Sequence, residues 1–398
     1  MGAINLDNTG SGGAITLSSD GTNLLLGGSA VGGGADLYAA NESSPNAQPS
    51  ALGNNAIAIG NTTKAGTQAS HANAIAIGGS STTSQPVQAT NTHAVAIGTS
   101  YYGAVTASSD GSMAIGTGAT VASSSGALAL GKSSTAAGNS AVSLSVSYAS
   151  GANSLAAAIA NNTSSYGSTG QYAIAIGYYA KANALGSTSV GYQNIAAQSY
   201  STAIGYMNSS NSQYSVSLGN ENVINGNNGL CLGSVNYVQT AGGVAIGKRA
   251  DARQNYQIAF AAGYFAANGD AQGSMYILRA ATTDATPTVL TTTNAAGQWY
   301  NQITAQTDSC ITFDGTITAM QNGAQSYASW RIEGLLVNDG GTTTVANSAT
   351  TVIDNQSSWG MALSADNTSN SLAITVTGEA SHNIRWVANI RTSEVIYA

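Results

Sequence analysis

Charged residues are scarce in this sequence of 398 residues: Asp, Glu, Lys and Arg together make up 7% of it, against roughly a quarter in an average soluble domain. Hydrophobic residues make up 43%. A disordered chain shows the opposite balance, with many charges and few apolar residues. The composition therefore predicts an ordered protein, and the shortage of charge predicts that assembly covers much of its surface.

Basic residues are the scarcer kind of charge, with 10 Lys and Arg against 17 Asp and Glu. They form no stripe of the kind that neutralises phosphates, so we expect no nucleic-acid partner. The sequence has no apolar run of about 18 residues. Its start, Met1-Gly2-Ala3-Ile4-Asn5, lacks the basic flank and apolar core of a signal peptide. We therefore expect no membrane insertion, and synthesis in a cytoplasm.

Cysteine is limited to Cys231 and Cys310, which fall in segments assigned below to different domains. We therefore expect small buried apolar side chains rather than a disulfide. His93 occupies the turn position that Asn55 and Asn73 hold in neighbouring repeats, so we interpret it as a turn residue. No group of residues has the spacing of metal ligands, and neither a metal nor a cofactor is expected.

Glycine, in contrast, is abundant, and it closes a phrase that recurs along the chain. In each phrase large apolar residues alternate with alanine or another small residue. Examples are Ala56-Ile57-Ala58-Ile59-Gly60, Ala74-Ile75-Ala76-Ile77-Gly78, Ala94-Val95-Ala96-Ile97-Gly98, Leu128-Ala129-Leu130-Gly131, Ala203-Ile204-Gly205, Cys231-Leu232-Gly233 and Ala245-Ile246-Gly247. Such alternation is typical of a β-strand whose two faces meet different surroundings.

The spacing of the closing glycines predicts the architecture. From Gly177 to Gly247 they recur every 14 residues, a length that fits two short strands and two tight turns. Successive coils must stack in parallel to bury their apolar side chains, giving roughly thirteen coils between residues 51 and 247. Two degenerate coils are expected near Ser143-Leu144-Ser145 and Ala158-Ile159-Ala160. A glycine at each strand end indicates a positive φ or a close approach of the next coil.

Phrases such as Ala173-Ile174-Ala175-Ile176-Gly177 at this spacing resemble the head domain of trimeric autotransporter adhesins, the YadA-like head repeat. The resemblance covers about half of the chain. It implies a left-handed parallel β-roll in which three chains pack around one axis, and so a homotrimer. The neck and heptad stalk of those adhesins are not recognisable, so we expect display on something other than a bacterial surface.

The sequence divides into three parts, all predicted to be β-structure. Residues 1–50 are acidic and glycine-rich, contain two strand-like runs within residues 13–17 and 22–27, and are predicted to form an N-terminal attachment segment. Residues 51–250 form the repeat roll. Residues 251–398 carry all four tryptophans and several strand patterns punctuated by Asp-Gly turns, which predicts a C-terminal β-sandwich or jelly roll.

Phrases near the C-terminus carry a second resemblance. Gly269-Asp270-Ala271-Gln272, and Leu372-Ala373-Ile374-Thr375-Val376-Thr377-Gly378-Glu379-Ala380 followed by Ile384-Arg385-Trp386-Val387-Ala388, are similar to the C-terminal domain of many phage and prophage tail proteins. The similarity implies a structural protein of a bacteriophage virion, and it carries no catalytic motif.

Residues 126–133 satisfy the P-loop pattern, with Gly126, Gly131, Lys132 and Ser133 at the required positions. Nucleotide binding would need a loop of backbone N–H groups that opens onto a helix. Here the intervening residues are the repeat's own strand, and no helical pattern follows. We interpret the match as an accident of the repeat.

Six tyrosines recur at two repeat positions and are the candidate binding residues. The two sets are Tyr178, Tyr192 and Tyr206, each directly after a closing glycine, and Tyr172, Tyr200 and Tyr214, each five residues before one. Stacked coils would place the members of a set in a ladder. One interpretation is that the ladders cover the edge of the roll or pack between subunits; the other is that they form a flat aromatic strip that stacks on host saccharides.

Paired carboxylates are the signature of an enzymatic alternative, because some phage spikes hydrolyse polysaccharide with two acids roughly 5 to 9.5 Å apart. Between residues 51 and 247 the acids are Asp110 and Glu221, in distant coils. The acids after residue 250 mostly fall in Asp-Gly turns or at strand positions expected to be exposed. We therefore assign no catalytic residue and expect no enzyme.

These patterns predict a homotrimeric tail fibre in a phage particle, whose three copies bind a host-surface polysaccharide or protein receptor with avidity. Its expected partners are further copies of itself, other virion proteins through residues 1–50, and the receptor. The alternatives are a head fibre or decoration protein without receptor specificity and, less favoured, a polysaccharide-depolymerising spike.

Overall fold

A computed structural model of the protein describes residues 49–60, 66–80, 85–101, 103–118, 120–160, 165–323, 326–355 and 359–397, and, before residue 49, the backbone of five short strands. All regular secondary structure in these residues is β-strand, which confirms the predicted all-β class. Within that part of the chain, no helix has the length and apolarity needed to span a membrane. The chain forms two compact units, Met1–Tyr172 and Ala173–Ala398.

The first unit contains twenty described strands. They are β1 (Ile4–Leu6), β2 (Ile15–Ser19), β3 (Leu24–Leu26), β4 (Ser29–Val31), β5 (Ala35–Leu37), β6 (Ser50–Ala51), β7 (Ile57–Ile59), β8 (Gln68–Ala69), β9 (Ile75–Ser80), β10 (Val87–Ala89), β11 (Val95–Ser100), β12 (Val105–Ala107), β13 (Met113–Thr117), β14 (Val121–Ala122), β15 (Leu128–Leu130), β16 (Thr135–Ala136), β17 (Val142–Leu144), β18 (Tyr148–Ala149), β19 (Leu155–Ala157) and β20 (Gly167–Ser168).

The first unit combines a small antiparallel sheet with the beginning of the roll. Strands β1 to β4 pair antiparallel in chain order, and β2 and β3 fall in the two runs that the sequence indicated. From β5 to β19 each odd-numbered strand pairs in parallel with the next odd-numbered one. The even-numbered strands from β6 to β20 form a second parallel sheet. Each coil therefore gives one strand to each sheet, as predicted for a roll.

The alternation of large and small residues divides the inside of a coil from its outside. In β11, Ala96 is fully buried, whereas Val95 and Ile97 are half-buried. The same holds in β9, where Ala76 is buried between Ile75 and Ile77. Small side chains of the odd-numbered strands thus point into the coil and their large apolar side chains point outward, while the even-numbered strands add larger inward residues such as Val87 and Ile224.

The irregular stretch before residue 172 follows the same plan with one correction. Strand β17 confirms the first degenerate coil. The strand of the second coil is β19, three residues earlier than the predicted Ala158-Ile159-Ala160, and it pairs in register with β17 through Leu155 and Val142. Ala158 and Ala160 have φ angles of 55° and 59°, so this segment forms turns instead of a strand.

The second unit contains twenty-two described strands. They are β21 (Ile174–Ile176), β22 (Lys181–Ala182), β23 (Thr188–Tyr192), β24 (Ile195–Ala196), β25 (Thr202–Tyr206), β26 (Ser209–Ser210), β27 (Val216–Asn220), β28 (Val223–Ile224), β29 (Leu230–Ser234), β30 (Tyr237–Val238), β31 (Val244–Lys248), β32 (Asp251–Ala252), β33 (Ile258–Ala261), β34 (Ala271–Thr282), β35 (Thr288–Val289), β36 (Ile303–Thr304), β37 (Ser309–Gln321), β38 (Tyr327–Asp339), β39 (Thr342–Asn355), β40 (Gly360–Asp366), β41 (Ser371–Thr377) and β42 (Ile384–Ile396).

Parallel stacking continues in this unit to β33 in one sheet and to β32 in the other. The odd-numbered strands β7 to β31 agree with the thirteen coils predicted between residues 51 and 247. The parallel pairing extends beyond the predicted limits of the roll, residues 51–250, because β5 pairs with β7 and β33 with β31. The repeat phrase of β33 ends in Ala261 instead of glycine, so a search for closing glycines does not find this coil.

The closing glycines of the second unit satisfy both physical reasons given for them. Gly191, Gly205 and Gly219 have φ angles of 117°, 123° and 126°. A Cβ atom on Gly205 would lie 2.1 Å from the carbonyl oxygen of Gly219 in the next coil. A larger residue would therefore need both an unfavourable φ and a wider spacing between coils.

The C-terminal part of the second unit is a sandwich of two antiparallel sheets. One sheet has the strand order β34-β42-β37-β38-β39, and in the other β41 pairs with β35, β36 and β40. Leu278 and Trp386 of the first sheet share one core with Leu372 and Ile374 of the second, which confirms the expected sandwich. Strand β33 pairs antiparallel with β34, so the last coil continues directly into the larger sheet.

Candidate functional site

The first set of tyrosines forms a ladder along the roll. Tyr192 and Tyr206 end β23 and β25 and face each other in the parallel register. Their ring centroids lie 5.0 Å apart with an interplanar angle of 7°, and those of Tyr178 and Tyr192 lie 5.1 Å apart at 11°. The ladder predicted for this set is therefore present.

The stacking decides which part of each ring is open to a ligand. The rings are nearly parallel at about the coil spacing, as in offset-stacked aromatic pairs. Each face of Tyr192 is therefore partly covered by a neighbour, and the side chains of Tyr178, Tyr192 and Tyr206 remain about 40% exposed. The ladder presents mainly ring edges and hydroxyl groups, about 5 Å apart, rather than the flat strip envisaged from sequence. Saccharide binding there stays a prediction.

The second set is only partly assembled. Tyr200 and Tyr214 stack with ring centroids 5.4 Å apart at 5°, and the Tyr200 ring lies over Gly186 of the preceding coil. Tyr172 has the same left-handed turn conformation, with a φ of 58°, but it ends the first unit. Because Gly186 occupies the next position of this series, the ladder of the second unit begins at Tyr200.

Sequence reasoning missed one member of this series, Tyr256, which stands three repeats after Tyr214. It has a φ of 60° and covers Gly242 as Tyr200 covers Gly186. Extending the 14-residue spacing beyond residue 250 would have found it. Tyr200 precedes strand β25 and Tyr206 ends it, so the two ladders lie at opposite ends of the same strands.

An apolar strip runs along the outward face of the odd-numbered strands. In the second unit we call the following side chains the outer strip: Ile174, Ile176, Ile204, Ile246, Ile258 and Phe260. Each is 36 to 44% exposed in the single chain. Large apolar side chains that share one exposed face mark an interaction face.

A buried asparagine ladder, unnoticed in the sequence, runs inside the second unit. Asn194, Asn208, Asn222 and Asn236 stand 14 residues apart and are 0 to 1% exposed. The Asn208 amide nitrogen lies 2.7 Å from the carbonyl oxygen of Gly219 and 3.0 Å from that of Ile204. These side chains thus provide hydrogen-bond donors for backbone carbonyl oxygens at the turn that follows each closing glycine.

The asparagine ladder also connects successive coils. The Oδ1 atom of Asn208 accepts a hydrogen bond from the backbone N–H of Asn222 at 3.1 Å and one from its side-chain amide at 2.9 Å. At the end of the ladder, the Oδ1 atom of Asn236 accepts a hydrogen bond from the backbone N–H of Ala250. In the first unit, Thr67 and Thr120 donate to the glycine carbonyl eleven residues later in the same way. The constant 14-residue spacing of the asparagines is the sequence signal from which this ladder could have been predicted.

Two motifs behave as the sequence analysis expected. Residues 128–130 of the P-loop match are strand β15, paired in parallel with β13. The turn residues Asn55, Asn73 and His93 have φ angles of 59°, 57° and 55°. His93 Nδ1 lies 3.3 Å from Oδ1 of Asp110 in the next coil, at an exposed surface.

The expectation that the C-terminal acids are exposed is wrong for three of them. Asp270 is buried and accepts hydrogen bonds from the backbone N–H groups of residues 265–267. Asp251 and Glu394 are buried beside Arg253, whose guanidinium lies 3.0 Å from Glu394 Oε2 and 3.5 Å from Asp251 Oδ2. Gln272 also donates to Glu394, at 3.0 Å. Burial raises the pKa of both carboxyl groups, and Arg253 partly offsets this. The network joins the last coil to β34 and β42, a connection across the fold that a linear pattern does not show.

The cysteines are free, as expected. Cys231 is fully buried at the position that Ala245 takes in the next coil, and burial raises its pKa to about 12. Cys310 is partly exposed on β37 instead of buried. Among the described residues, no three His, Cys, Asp or Glu side chains are grouped as metal ligands.

Residues 106–121, 168–194 and 196–222 match the YadA head domain repeat. The matched segments contain the roll strands β13, β21 to β23 and β25 to β27, so the repeat family and the fold agree, and the structure is a YadA-like β-roll. The match comprises less than half of the chain and ends before the sandwich. No curated protein matches the chain in sequence.

Proposed function

We propose that this chain is a tail fibre of a bacteriophage, a non-enzymatic homotrimer that attaches the virion to a receptor on the host surface. Residues 1–50 bind other virion proteins. The roll acts as a spacer, and the sandwich together with turns of the roll contacts a surface polysaccharide or protein. Three copies per fibre convert weak individual contacts into avidity.

The outer strip is the observation that carries the trimer. Completing the burial of one large apolar side chain that is one-third exposed contributes roughly 0.5 to 1 kcal/mol, and the strip repeats this on four strands of the second unit, β21, β25, β31 and β33. The outward positions of the opposite sheet in this unit mix polar and apolar side chains, such as Lys181, Ser209, Ile195 and Val223. The sheet of the outer strip is therefore the more uniformly apolar one, and a chain that repeats at a fixed spacing matches a second copy of itself best.

The comparisons favour an adhesive fibre over other repeat proteins. The YadA head repeat is that of trimeric adhesins, and the resemblance of the C-terminal phrases to phage tail proteins favours a virion as the carrier. The buried Asp251 and Glu394 are held by Arg253 and by amide side chains, which suits a structural role rather than hydrolysis.

Antibodies against residues 251–398 would test the virion assignment by electron microscopy. We expect labelled fibres on phage tails, and we expect the purified protein to block phage adsorption to host cells in proportion to its concentration. Label on the head, or a purified protein that leaves adsorption unchanged, would contradict the tail-fibre function. Release of reducing sugar from host polysaccharide would establish the depolymerase alternative.

The Tyr192→Ala/Tyr206→Ala double variant tests the first ladder as a contact surface. If the hydroxyl row contacts the receptor, we expect weaker blocking of adsorption, with Tyr397→Ala, an exposed tyrosine outside both ladders, as the control. Blocking equal to that of the wild type would make the first ladder part of the scaffold.

A further inference from the structure

The sandwich carries an exposed aromatic corner next to a polar cleft, far along the chain from both tyrosine ladders. Trp299 is 54% exposed, whereas Trp330, Trp359 and Trp386 are 0 to 4% exposed in the core. Tyr300 stands edge-on to Trp299, with ring centroids 5.6 Å apart at 88°. Leaving an indole in water forfeits a large burial energy, so its exposed position calls for a partner.

The segment that carries this corner is held in place by its own polar side chains. Asn301 accepts a hydrogen bond from the backbone N–H of Gln298 and donates to Thr293 and to the carbonyl oxygen of Ala296. Thr304 donates to the carbonyl oxygen of Trp299 at 2.6 Å. The corner is therefore preorganised, which lowers the entropy that a ligand must overcome.

Beside the corner lies a cleft of about 440 Å³, lined by residues 280–281, 287–289 and 294–297. None of these residues has an ionisable side chain, so the cleft offers hydrogen-bonding atoms without net charge. Trp299 follows two residues after Gly297 of the lining, and two residues of chain span at most about 7 Å. The indole and the cleft are thus close enough for one small ligand to contact both.

A buried amide packs against one residue of the cleft. Gln302 is 1% exposed, and neither its Oε1 nor its Nε2 atom has a hydrogen-bond partner. A Cβ atom on Gly297 would come within 2.9 Å of that Oε1, so the amide fills the side of Gly297 where a larger residue would place its side chain. Thr288 and Asn294 of the lining supply the side-chain polar atoms of the cleft itself.

We propose that the cleft beside Trp299 binds a neutral saccharide, with the apolar face of one sugar ring on the indole and its hydroxyl groups at the cleft. The absence of ionisable lining residues disfavours an anionic sugar as the main ligand. This inference rests on the proposed adhesive function, for which it names a receptor contact and a ligand class.

The experiment uses the full-length protein with maltohexaose, cellohexaose and chitohexaose as neutral probes and a hyaluronan hexasaccharide as the anionic one. Because the other three tryptophans are buried, a saturable change in fluorescence reports on Trp299. We expect such a change with at least one neutral probe. Isothermal titration calorimetry, which does not depend on the indole, compares the variants. We expect Trp299→Ala to weaken binding by at least about 10-fold, equivalent to about 1.4 kcal/mol, Trp299→Phe to retain part of it, and the exposed-aromatic control Tyr397→Ala to bind normally.

Binding by none of the neutral probes, a preference for hyaluronan, or unchanged binding by Trp299→Ala would overturn the proposal. Failure of acrylamide to quench Trp299 in the assembled protein would also overturn it, since the indole would then be a subunit contact. Adsorption separates the two claims. If the wild-type protein and the Trp299→Ala variant adhere to host cells equally well, the cleft is not a receptor contact and the proposed fibre function still stands. If the wild-type protein does not adhere to host cells, the proposed fibre function is itself wrong.

Discussion

Asn208 lies in the middle of the asparagine ladder, and its replacement by alanine isolates what the ladder contributes to the roll. The smaller side chain fits, because Ala180 and Ala250 occupy the same position in other coils and are fully buried. No steric clash therefore accompanies the change. The hydrogen bonds of the amide are what Asn208→Ala removes.

The structure gives the expected magnitude. Without the amide, the carbonyl oxygens of Ile204 and Gly219 and the backbone N–H of Asn222 lose a side-chain partner inside the protein. Each of these three losses costs about 1 to 1.5 kcal/mol, giving about 3 to 4.5 kcal/mol per chain. Asn208→Thr is the matched control, since Thr120 makes the equivalent bond to its glycine carbonyl; we expect a loss of about 1 to 2 kcal/mol for it.

Guanidinium unfolding followed by circular dichroism measures both variants against the wild type at equal protein concentration. We expect the order wild type, Asn208→Thr, Asn208→Ala in falling midpoint. Equal midpoints for the wild type and Asn208→Ala would refute the argument, because they would show that the ladder bonds are replaced without loss.

Three further outcomes follow from the fold. Gly205→Ala should lower the free energy of unfolding by more than about 1 kcal/mol, because the added Cβ meets Gly219 at a positive φ; an unchanged melting temperature would contradict this. Since burial raises the pKa of Glu394, its contribution to stability is greatest at low pH and declines as the pH rises above about 4, the ordinary glutamate value. Glu394→Gln should flatten that slope in thermal melts across pH, and an unaltered slope would disprove the link. Iodoacetamide at pH 8 should label Cys310 but not Cys231 in the native protein, as mass spectrometry of peptides can check; early labelling of Cys231 would show that the roll opens.

The roll could be predicted from sequence because its rule is local. Each coil repeats the same alternation and the same closing glycine, so the strand faces and the stacking direction follow from spacing alone. The limits of the roll could not be predicted as well, because Ala261 replaces the glycine in the last coil and the strand of the second degenerate coil, Leu155–Ala157, lacks the usual phrase.

The candidate sites were less accessible to sequence reasoning. Spacing placed Tyr192 and Tyr206 in one ladder, but it could not show that their rings cover each other. The ion pair between Arg253 and Glu394 joins residues 141 positions apart, and the exposure of Trp299 depends on how the sandwich packs. Such features arise from tertiary contacts, which carry no periodic signal in the chain.

The mass of the native protein in solution tests the central claim, that three chains share the roll through the outer strip, most directly. Sedimentation or light scattering should give three times the chain mass of 39.5 kDa. Ile204→Asp with Ile246→Asp should reduce the assembly to single chains or unfold it, while Ile195→Asp, equally exposed on the other sheet, should leave three chains together. A wild-type protein of single-chain mass, or a trimer lost only with Ile195→Asp, would contradict the account.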